Sequence, residues 1–355
     1  MSSQAEPKAA RALPRRRESA KTSTKRGPLG KSGGPLAHPA VSRSALSRRE
    51  TDEVAGVTLT NPDRLLYSEQ GLTKRDLANY YAAVADWILP HISGRPLSLV
   101  RCPEGREKGC FYQKHVGESV HPSVGKVLIE EESGESRLYP MVDSLTGLIS
   151  LVQMGVLEIH PWGSKADHLE YPDRIVFDLD PGEGVSFDRV VDAAHFVRRR
   201  LRQLQLECWP KTSGGKGLHL VVPVKPQHGW NEVHEFARGV ARLCTEESPE
   251  VFTENSRKAA RKERIFIDYL RNARGATTVA PYSTRARAGA PVSVPLRWDE
   301  VDPDLRPESL HVGTVARRLA RSRQDPWNEM DEVEQVLPAS IREVKAPIPR
   351  SMWER

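Results

Sequence analysis

The stretch Arg174-Ile175-Val176-Phe177-Asp178-Leu179-Asp180, closed by Pro181-Gly182, constrains this chain more than any other segment. Its β-branched and aromatic residues read as a strand, and the Pro-Gly pair ends it. Side chains alternate along a strand, so Asp178 and Asp180 share one face while Phe177 and Leu179 take the other. The apolar neighbours make this strand mostly buried. Two ionised carboxylates a few ångströms apart repel each other there, and they need a cation or basic neighbours. A divalent ion meets that need, because hard cations prefer carboxylate oxygens. A strand that ends at the surface in the polar turn Asp180-Pro181-Gly182-Glu183 meets it as well, and the Asp-x-Asp pair alone does not separate the two. Asp268, at the end of the apolar run Arg264-Ile265-Phe266-Ile267-Asp268-Tyr269, is placed to complete an acidic cluster.

Elements able to pack around such a strand are legible on both sides of it. Thr73 caps a helix with Leu77, Tyr81, Val84 and Ile88 at helical spacing, and Arg95 to Arg101 reads as a strand. Short strands follow through Leu128-Ile129 and Leu138-Tyr139, residues 144–156 suit a short helix, and Leu157 to His160 alternates until Pro161 stops it. Ser186 opens a long helix with Val190, Ala194, Val197, Leu201 and Leu204 on one face. Gly217 to Pro223 is a strand, Asn231 to Cys244 a helix, and Pro307 to about Ser322 a last helix. The order is an α+β mixture with non-local pairing, not a regular βαβ alternation.

A second constellation is Lys211-Thr212-Ser213-Gly214-Gly215-Lys216-Gly217-Leu218-His219. Glycines let backbone N–H groups approach an anion, and Ser213, Lys216 and His219 add donors. The pattern G-x-x-x-x-G-K-[ST] is absent, and the segment runs from turn to strand, so kinase or ATPase chemistry is disfavoured. By itself such a turn is a hairpin connection more often than an anion site. Taken singly, His160 reads as a satisfied interior histidine, Arg271 and Arg285 as solvated arginines, and Phe111-Tyr112 as core or as a platform for a base.

Charge separates a tail from the globular part. Residues 1–50 carry 12 Lys/Arg against 3 Asp/Glu, while the remainder carries 41 against 44. The basic pI therefore belongs to the N-terminal segment, and any nucleic acid must be met by a local patch of the fold. Residues 1–53 are expected to be a disordered basic tail, 54–345 one globular domain, and 346–355 a C-terminal tail. No run of about 18 apolar residues is present, so no membrane span is expected, and no signal-peptide pattern opens the chain. The four cysteines, Cys102, Cys110, Cys208 and Cys244, are too scattered for a disulfide framework and fit free thiols in a reducing cytoplasm. Cys102, Cys110 and His115 lack the tight Cys pair of a structural zinc site.

In combination the motifs become specific. Phe177-Asp178-Leu179-Asp180-Pro181, then Ser213-Gly214-Gly215-Lys216-Gly217-Leu218-His219, then Phe266-Ile267-Asp268-Tyr269-Leu270-Arg271-Asn272 resemble, in this order, the motifs of the polymerase domain of bacterial ligase D, in the archaeo-eukaryotic primase superfamily. Glu158-Ile159-His160-Pro161-Trp162, Thr278-Val279-Ala280-Pro281-Tyr282-Ser283 and Asp325-Pro326-Trp327 extend the resemblance over about residues 56–340. It implies an archaeo-eukaryotic primase-like fold with a mixed or antiparallel central sheet flanked by helices. It implies metal-dependent nucleotide addition to DNA ends or gaps, with Mn2+ or Mg2+ in a two-metal site held by Asp178, Asp180 and Asp268, and a preference for ribonucleotides. His160 falls among the catalytic positions, and Ser213, Lys216, His219, Arg271 and Arg285 among the nucleotide contacts. Phe111 and Tyr112 look like the aromatic pair that meets a templating base. Asn61, Arg64 and Lys74 look like a pocket for the 5′-phosphate of a DNA break, with Arg64 where lysine is frequent.

The partners implied are DNA ends, nucleoside triphosphates and the Ku protein; no K-x-D-G adenylation motif is present, so the ligase is a separate polypeptide, or the chain is a stand-alone relative or a fragment. The location implied is the bacterial cytoplasm, at the nucleoid. Two other functions fit the same motifs: a non-catalytic DNA-end adaptor, against which all three aspartates speak, and a primase that starts chains de novo.

Overall fold

The computed structural model describes residues 52–322 and 324–338. In chain order, β1 (Glu53–Val54), β2 (Val57–Thr58), β3 (Leu65–Tyr67) and β4 (Leu72–Thr73) make two small hairpins, followed by α1 (Lys74–Ala83) and α2 (Ala85–Ile92). Next come β5 (Leu97–Arg101), β6 (Phe111–Gln113), the hairpin of β7 (Gly125–Glu130) and β8 (Ser136–Met141), α3 (Leu145–Gln153) and β9 (Val156–Pro161). The second half holds β10 (Arg174–Pro181), α4 (Phe187–Gln203), β11 (Trp209–Thr212), β12 (Leu218–Pro223) and α5 (Trp230–Glu247). It ends with β13 (Phe252–Thr253), β14 (Ile265–Asp268) and α6 (Val312–Arg321). Most of the expected tail 1–53 and all of 346–355 lie outside the described residues. Asp52 and Glu53 lie inside them: Asp52 pairs with Arg75 at 2.6 Å, and Glu53 faces Thr58 in the first hairpin.

β10 is the centre of a five-stranded sheet of order β11-β12-β10-β14-β13, antiparallel except between β13 and β14. Ile175, Phe177 and Leu179 stand opposite Val222, Leu220 and Leu218 of β12, and all six are fully buried. They belong to the main core together with Val190, Val197 and Leu201 of α4 and Val233 and Val240 of α5. Burying side chains of this size is worth about 1.5–3 kcal/mol each, which fixes which face of β10 looks inward. The other face is apolar only at one end, where Val176 and Val221 meet Trp327 and Met330. The remainder of that face carries Asp178 and Asp180.

β14 stops at Asp268, so the β10 backbone at Val176 has no strand beside it there. The buried Asn272 amide fills the place: Val176 N–H donates to its Oδ1 at 2.7 Å, and its Nδ2 donates to Val176 O at 2.8 Å. A backbone pair left without partners in the interior would cost about as much as a lost hydrogen bond for each group.

The second sheet has order β6-β5-β9. The segment after Thr277 ties it to the first: Ala280 N–H donates to Ile159 O at 2.8 Å, Ile159 N–H to Ser283 Oγ at 2.9 Å, and Thr212 N–H to Val294 O at 3.0 Å. These bonds bring β9 alongside the open face of β10. No helix among the described residues is long and apolar enough to cross a membrane.

Three sequence expectations change. The helix expected from Thr73 through Ile88 breaks at Val84 (φ −111°, ψ 10°), and the Thr73–Asp76 capping box starts only its first part. The last helix begins at Val312 rather than Pro307, which opens a separate 3-10 turn. Cys102 and Cys110 are not free thiols but a disulfide, while Cys208 and Cys244 are free and buried. The cause is the pairing of Arg101 with Phe111: the next residues outward face each other, with Cα atoms 4.3 Å apart. His115 turns instead to Glu131 at 2.9 Å, so no zinc site forms from these three residues.

Candidate active site

Strand pairing sets one functional side chain from each of four strands at the same level of the sheet. Lys211 faces His219, His219 faces Asp178, and Asp178 faces Asp268. Asp180 lies two residues along β10 on the same face, opposite Phe266. The three aspartates expected to cluster therefore share one face of two adjacent strands.

Each carboxylate turns to a basic partner. Asp178 Oδ1 lies 3.3 Å from His219 Nε2, Asp180 accepts from Arg261 Nη1 at 2.5 Å, and Asp268 lies 3.1 Å from Arg271 Nε. Burial pushes the Asp178 carboxyl up, but the His219 imidazole and the charges of Arg271 and Lys211 outweigh it and hold the group at about 2. Asp180 and Asp268 both move the other way. Burial raises each of them, the Asp178 charge adds to this, and Arg261 and Arg271 respectively offset only part of it. Burial lowers His219 to about 4, so its contact with Asp178 is a neutral N–H on a carboxylate. His219 Nδ1 is buried without a partner among the described residues. A buried polar atom left unpaired costs about 1–3 kcal/mol, and a ligand in the cavity can recover it.

The donor set fits a hard divalent cation: three carboxylates on one face, two of them held above their ordinary range by burial and the charge of Asp178. Among the described residues no three such groups stand ready-made around a common point. Arg261 holds Oδ2 of Asp180, so an ion there would compete with it for that oxygen.

The expected residues His160, Asp178, Asp180, Ser213, Lys216, His219, Arg271 and Arg285 all line one cavity of about 230 Å³. The glycine-rich segment, expected to cradle an anion, is a hairpin between β11 and β12. Ser213 Oγ accepts from Gly215 N–H and Gly217 N–H, both at 3.2 Å. Gly214 sits at φ +64°, and a Cβ on Gly217 would lie 2.3 Å from Leu179 O. That close approach holds the turn beside the aspartates. Lys216 and Arg287 line the cavity with no ion-pair partner among the described residues. A larger cavity of about 570 Å³ lies behind the same hairpin and shares those two side chains.

Phe111 and Tyr112, both about half exposed, stand at the edge of this region. Tyr112 OH bonds Thr277 Oγ1 at 2.6 Å, and its ring centroid is 6.1 Å from that of His160. Asn61, Arg64 and Lys74 gather around the start of α1. Lys74 N–H donates to Arg64 O, and Arg64 N–H donates to Asn61 O, at 2.9 and 3.0 Å. Asn61 is exposed with φ +51°. Both cations are engaged by protein: Lys74 Nζ by Thr60 O at 2.9 Å, and Arg64 by Pro103 O at 2.7 Å and Glu104 at 2.5 Å. Burial, then the charge of Arg64, lowers the Lys74 ammonium.

Four residues without an assigned role in the sequence also belong here. Arg261 and Arg287 look like any solvated arginine. Lys211 is fully buried, and its Nζ donates to Ser293 Oγ at 2.7 Å. Its signal was its place in a strand that pairs with the one bearing His219. Glu158 is two residues from His160 on β9, hence on the same face, and that spacing was the available clue.

The comparisons with known proteins agree with this geometry. The family model "LigD, primase-polymerase domain" matches residues 73–327. The multifunctional non-homologous end joining protein LigD of Pseudomonas aeruginosa is 37% identical over 301 residues, covering 84% of this chain and 36% of that protein. The multifunctional protein LigD of Mycobacterium tuberculosis is 38% identical over 274 residues, covering 75% and 36%. The chain thus spans about a third of the length of these relatives. Among solved structures, the polymerase domain from Mycobacterium tuberculosis ligase D in complex with DNA superimposes with a TM-score of 0.73 at 35% identity. That match covers 78% of this chain and 98% of the other.

Proposed function

Because the chain belongs to the LigD primase-polymerase domain family, a family of DNA-directed nucleotidyltransferases with the archaeo-eukaryotic primase fold, we propose that its cavity adds nucleotides to DNA ends or gaps during bacterial non-homologous end joining. The observation that carries this reading is the pairing of Asp178 with Asp268, with Asp180 on the same face, beside a hairpin rich in anion donors.

In this reading Asp178, Asp180 and Asp268 hold Mn2+ or Mg2+. Ions held by these three residues would supply charge to activate a primer 3′-hydroxyl and to stabilise the departing pyrophosphate. Ser213, Lys216, His219 and Arg285 orient the triphosphate, and Lys216 and Arg287 are the cations free to meet it. Arg271, now on Asp268, is close enough to turn to a phosphate once the carboxylate has another cation. Phe111 and Tyr112 offer flat faces to a base, whose stacking is worth about 1–3 kcal/mol. Asn61, Arg64 and Lys74 receive the 5′-phosphate across the break. Preference for ribonucleotides, and cooperation with Ku and a DNA ligase, belong to the same proposal.

The test is extension of a 3′-overhang with ribo- and deoxyribonucleoside triphosphates, in Mn2+ and in Mg2+. The wild-type chain is expected to extend, and Asp178→Asn or Asp268→Asn to lose extension while still binding DNA. Undiminished extension by the double variant sinks the assignment. Omitting the primer separates end filling from de novo priming.

A further inference from the structure

Beside the aspartates lies a cluster centred on a buried acid. Glu158 is 6% exposed and both of its oxygens are occupied. Oε2 takes His160 Nε2 at 2.8 Å and accepts from Arg285 Nε at 2.9 Å, while Oε1 accepts Ala286 N–H at 2.8 Å. Burial pushes this carboxyl up, but His160, Arg285 and the Ala286 N–H overcome it and hold it at about 2. An ionised carboxylate only accepts hydrogen bonds, so the proton of the ring must sit on Nε2. Burial lowers the imidazole, helped by the charges of Arg285 and Lys211 and opposed by Glu158, so the ring is neutral and Nδ1 bears a lone pair. The ring lines the nucleotide cavity, and Nδ1 has no hydrogen bond among the described residues.

We propose that Glu158 is a positioning residue that fixes His160 as its Nε2–H tautomer, so that Nδ1 accepts a hydrogen bond from a sugar hydroxyl of the bound nucleotide. The inference rests on the nucleotide-adding reading of the cavity and adds the atom that senses the sugar. The same carboxylate steadies Arg285, whose Nη1 donates to Ser213 O in the phosphate hairpin. One acid thus sets the ring and braces the cradle together. Gly214 completes the brace, since a Cβ there would lie 2.6 Å from Arg285 Cγ.

The conservative variant Glu158→Gln disturbs this arrangement. An amide offers one oxygen and one N–H2 group, so either Ala286 N–H or the His160–Arg285 pair meets a donor. With the N–H2 toward the ring, His160 must accept through Nε2 and move its proton to Nδ1, which removes the acceptor from the cavity.

The experiment uses the full chain with 15N-labelled histidine and assigns the His160 ring with His160→Gln. The wild-type ring is expected to carry its proton on Nε2, and Glu158→Gln, whose amide can present either end, to populate Nδ1 as well. A wild-type ring protonated at Nδ1 overturns the proposal, and this reading needs no variant that might misfold. In parallel, extension is measured with ribo-, 2′-deoxy- and 3′-deoxynucleoside triphosphates. Losing one neutral hydrogen bond of this kind costs about twofold to tenfold. Glu158→Gln should show that loss with sugars bearing the contacted hydroxyl and much less with the one lacking it. Equal losses with all three sugars, or none, refute the role. A wild-type chain that adds no nucleotide defeats the functional reading and leaves the ring spectrum to judge this one.

Discussion

Arg261 occupies the carboxylate that a metal ion would need, and replacing it by glutamine tests that competition directly. Arg261 donates to Asp180, stacks over Phe266 with its guanidinium carbon 4.1 Å from the ring centroid, and bonds Ser256 O. The ion pair is half exposed on the Asp180 side, at 51%, so it contributes at most about 1 kcal/mol. The stacking adds about 0.5–1 kcal/mol. The bonds to Ser256 O can persist or be replaced by water. Freeing Asp180 therefore costs about 1–2 kcal/mol, and every 1.4 kcal/mol is about tenfold in affinity. Arg261→Gln removes this cost and is expected to bind Mn2+ about tenfold more tightly. Titration followed by the electron paramagnetic resonance of free Mn2+ measures this without any nucleotide or turnover. The difference should narrow as salt rises, because the displaced pair is screened. Unchanged or weaker Mn2+ binding by Arg261→Gln would mean that Asp180 is not a ligand, or that Arg261 does not compete for it.

Three further expectations follow from particular contacts. Lys74→Met should weaken binding to gapped DNA carrying a 5′-phosphate by about tenfold, the worth of one charge-assisted contact, and leave binding to the unphosphorylated gap nearly unchanged; equal losses on both substrates remove the pocket. Glu158, held at about 2 against an ordinary 4.5, contributes stability that is present above pH 4.5 and lost as pH falls from 4.5 toward 2. A depression of that size is worth about 3 kcal/mol, so urea unfolding at pH 6 and near pH 2 should show a drop smaller by about that amount in Glu158→Gln, and an equal drop would refute the linkage. Gly217→Ala should lower stability by about 1–3 kcal/mol, since its Cβ would meet the β10 backbone, whereas Gly117→Ala, with nothing within 4 Å, should melt like the wild type.

What could be read in the chain beforehand was whatever depends on neighbours in sequence. β10, β12, α4 and α5 follow from alternation and helical spacing, and the shared face of Asp178 and Asp180 follows from the pleat. Asp268 opposite Asp178 was suggested by motif order, yet spacing alone does not reveal which strand lies beside which. The same limit hid the disulfide, since only the pairing of β5 with β6 turns a gap of eight residues into a contact. β11 was read as part of a turn, because Pro210 and the glycines after Thr212 mask a strand whose place is fixed by bonds to β12 and to the segment around Val294. Arg261 gains its meaning from a distant partner, and no local pattern distinguishes it from a solvated charge.

Lys211, His219, Asp178 and Asp268 stand abreast, each contributed by a different strand. Sliding any one strand by a single residue would swing its contribution to the opposite side, driving a charged or polar group into the oily interior and an apolar one into the cavity. Misassembly is thus penalised twice, in energy and in chemistry. Selection for catalytic competence in such a protein automatically polices the alignment of its strands, and a molecule that has misaligned them cannot linger as a partly working enzyme.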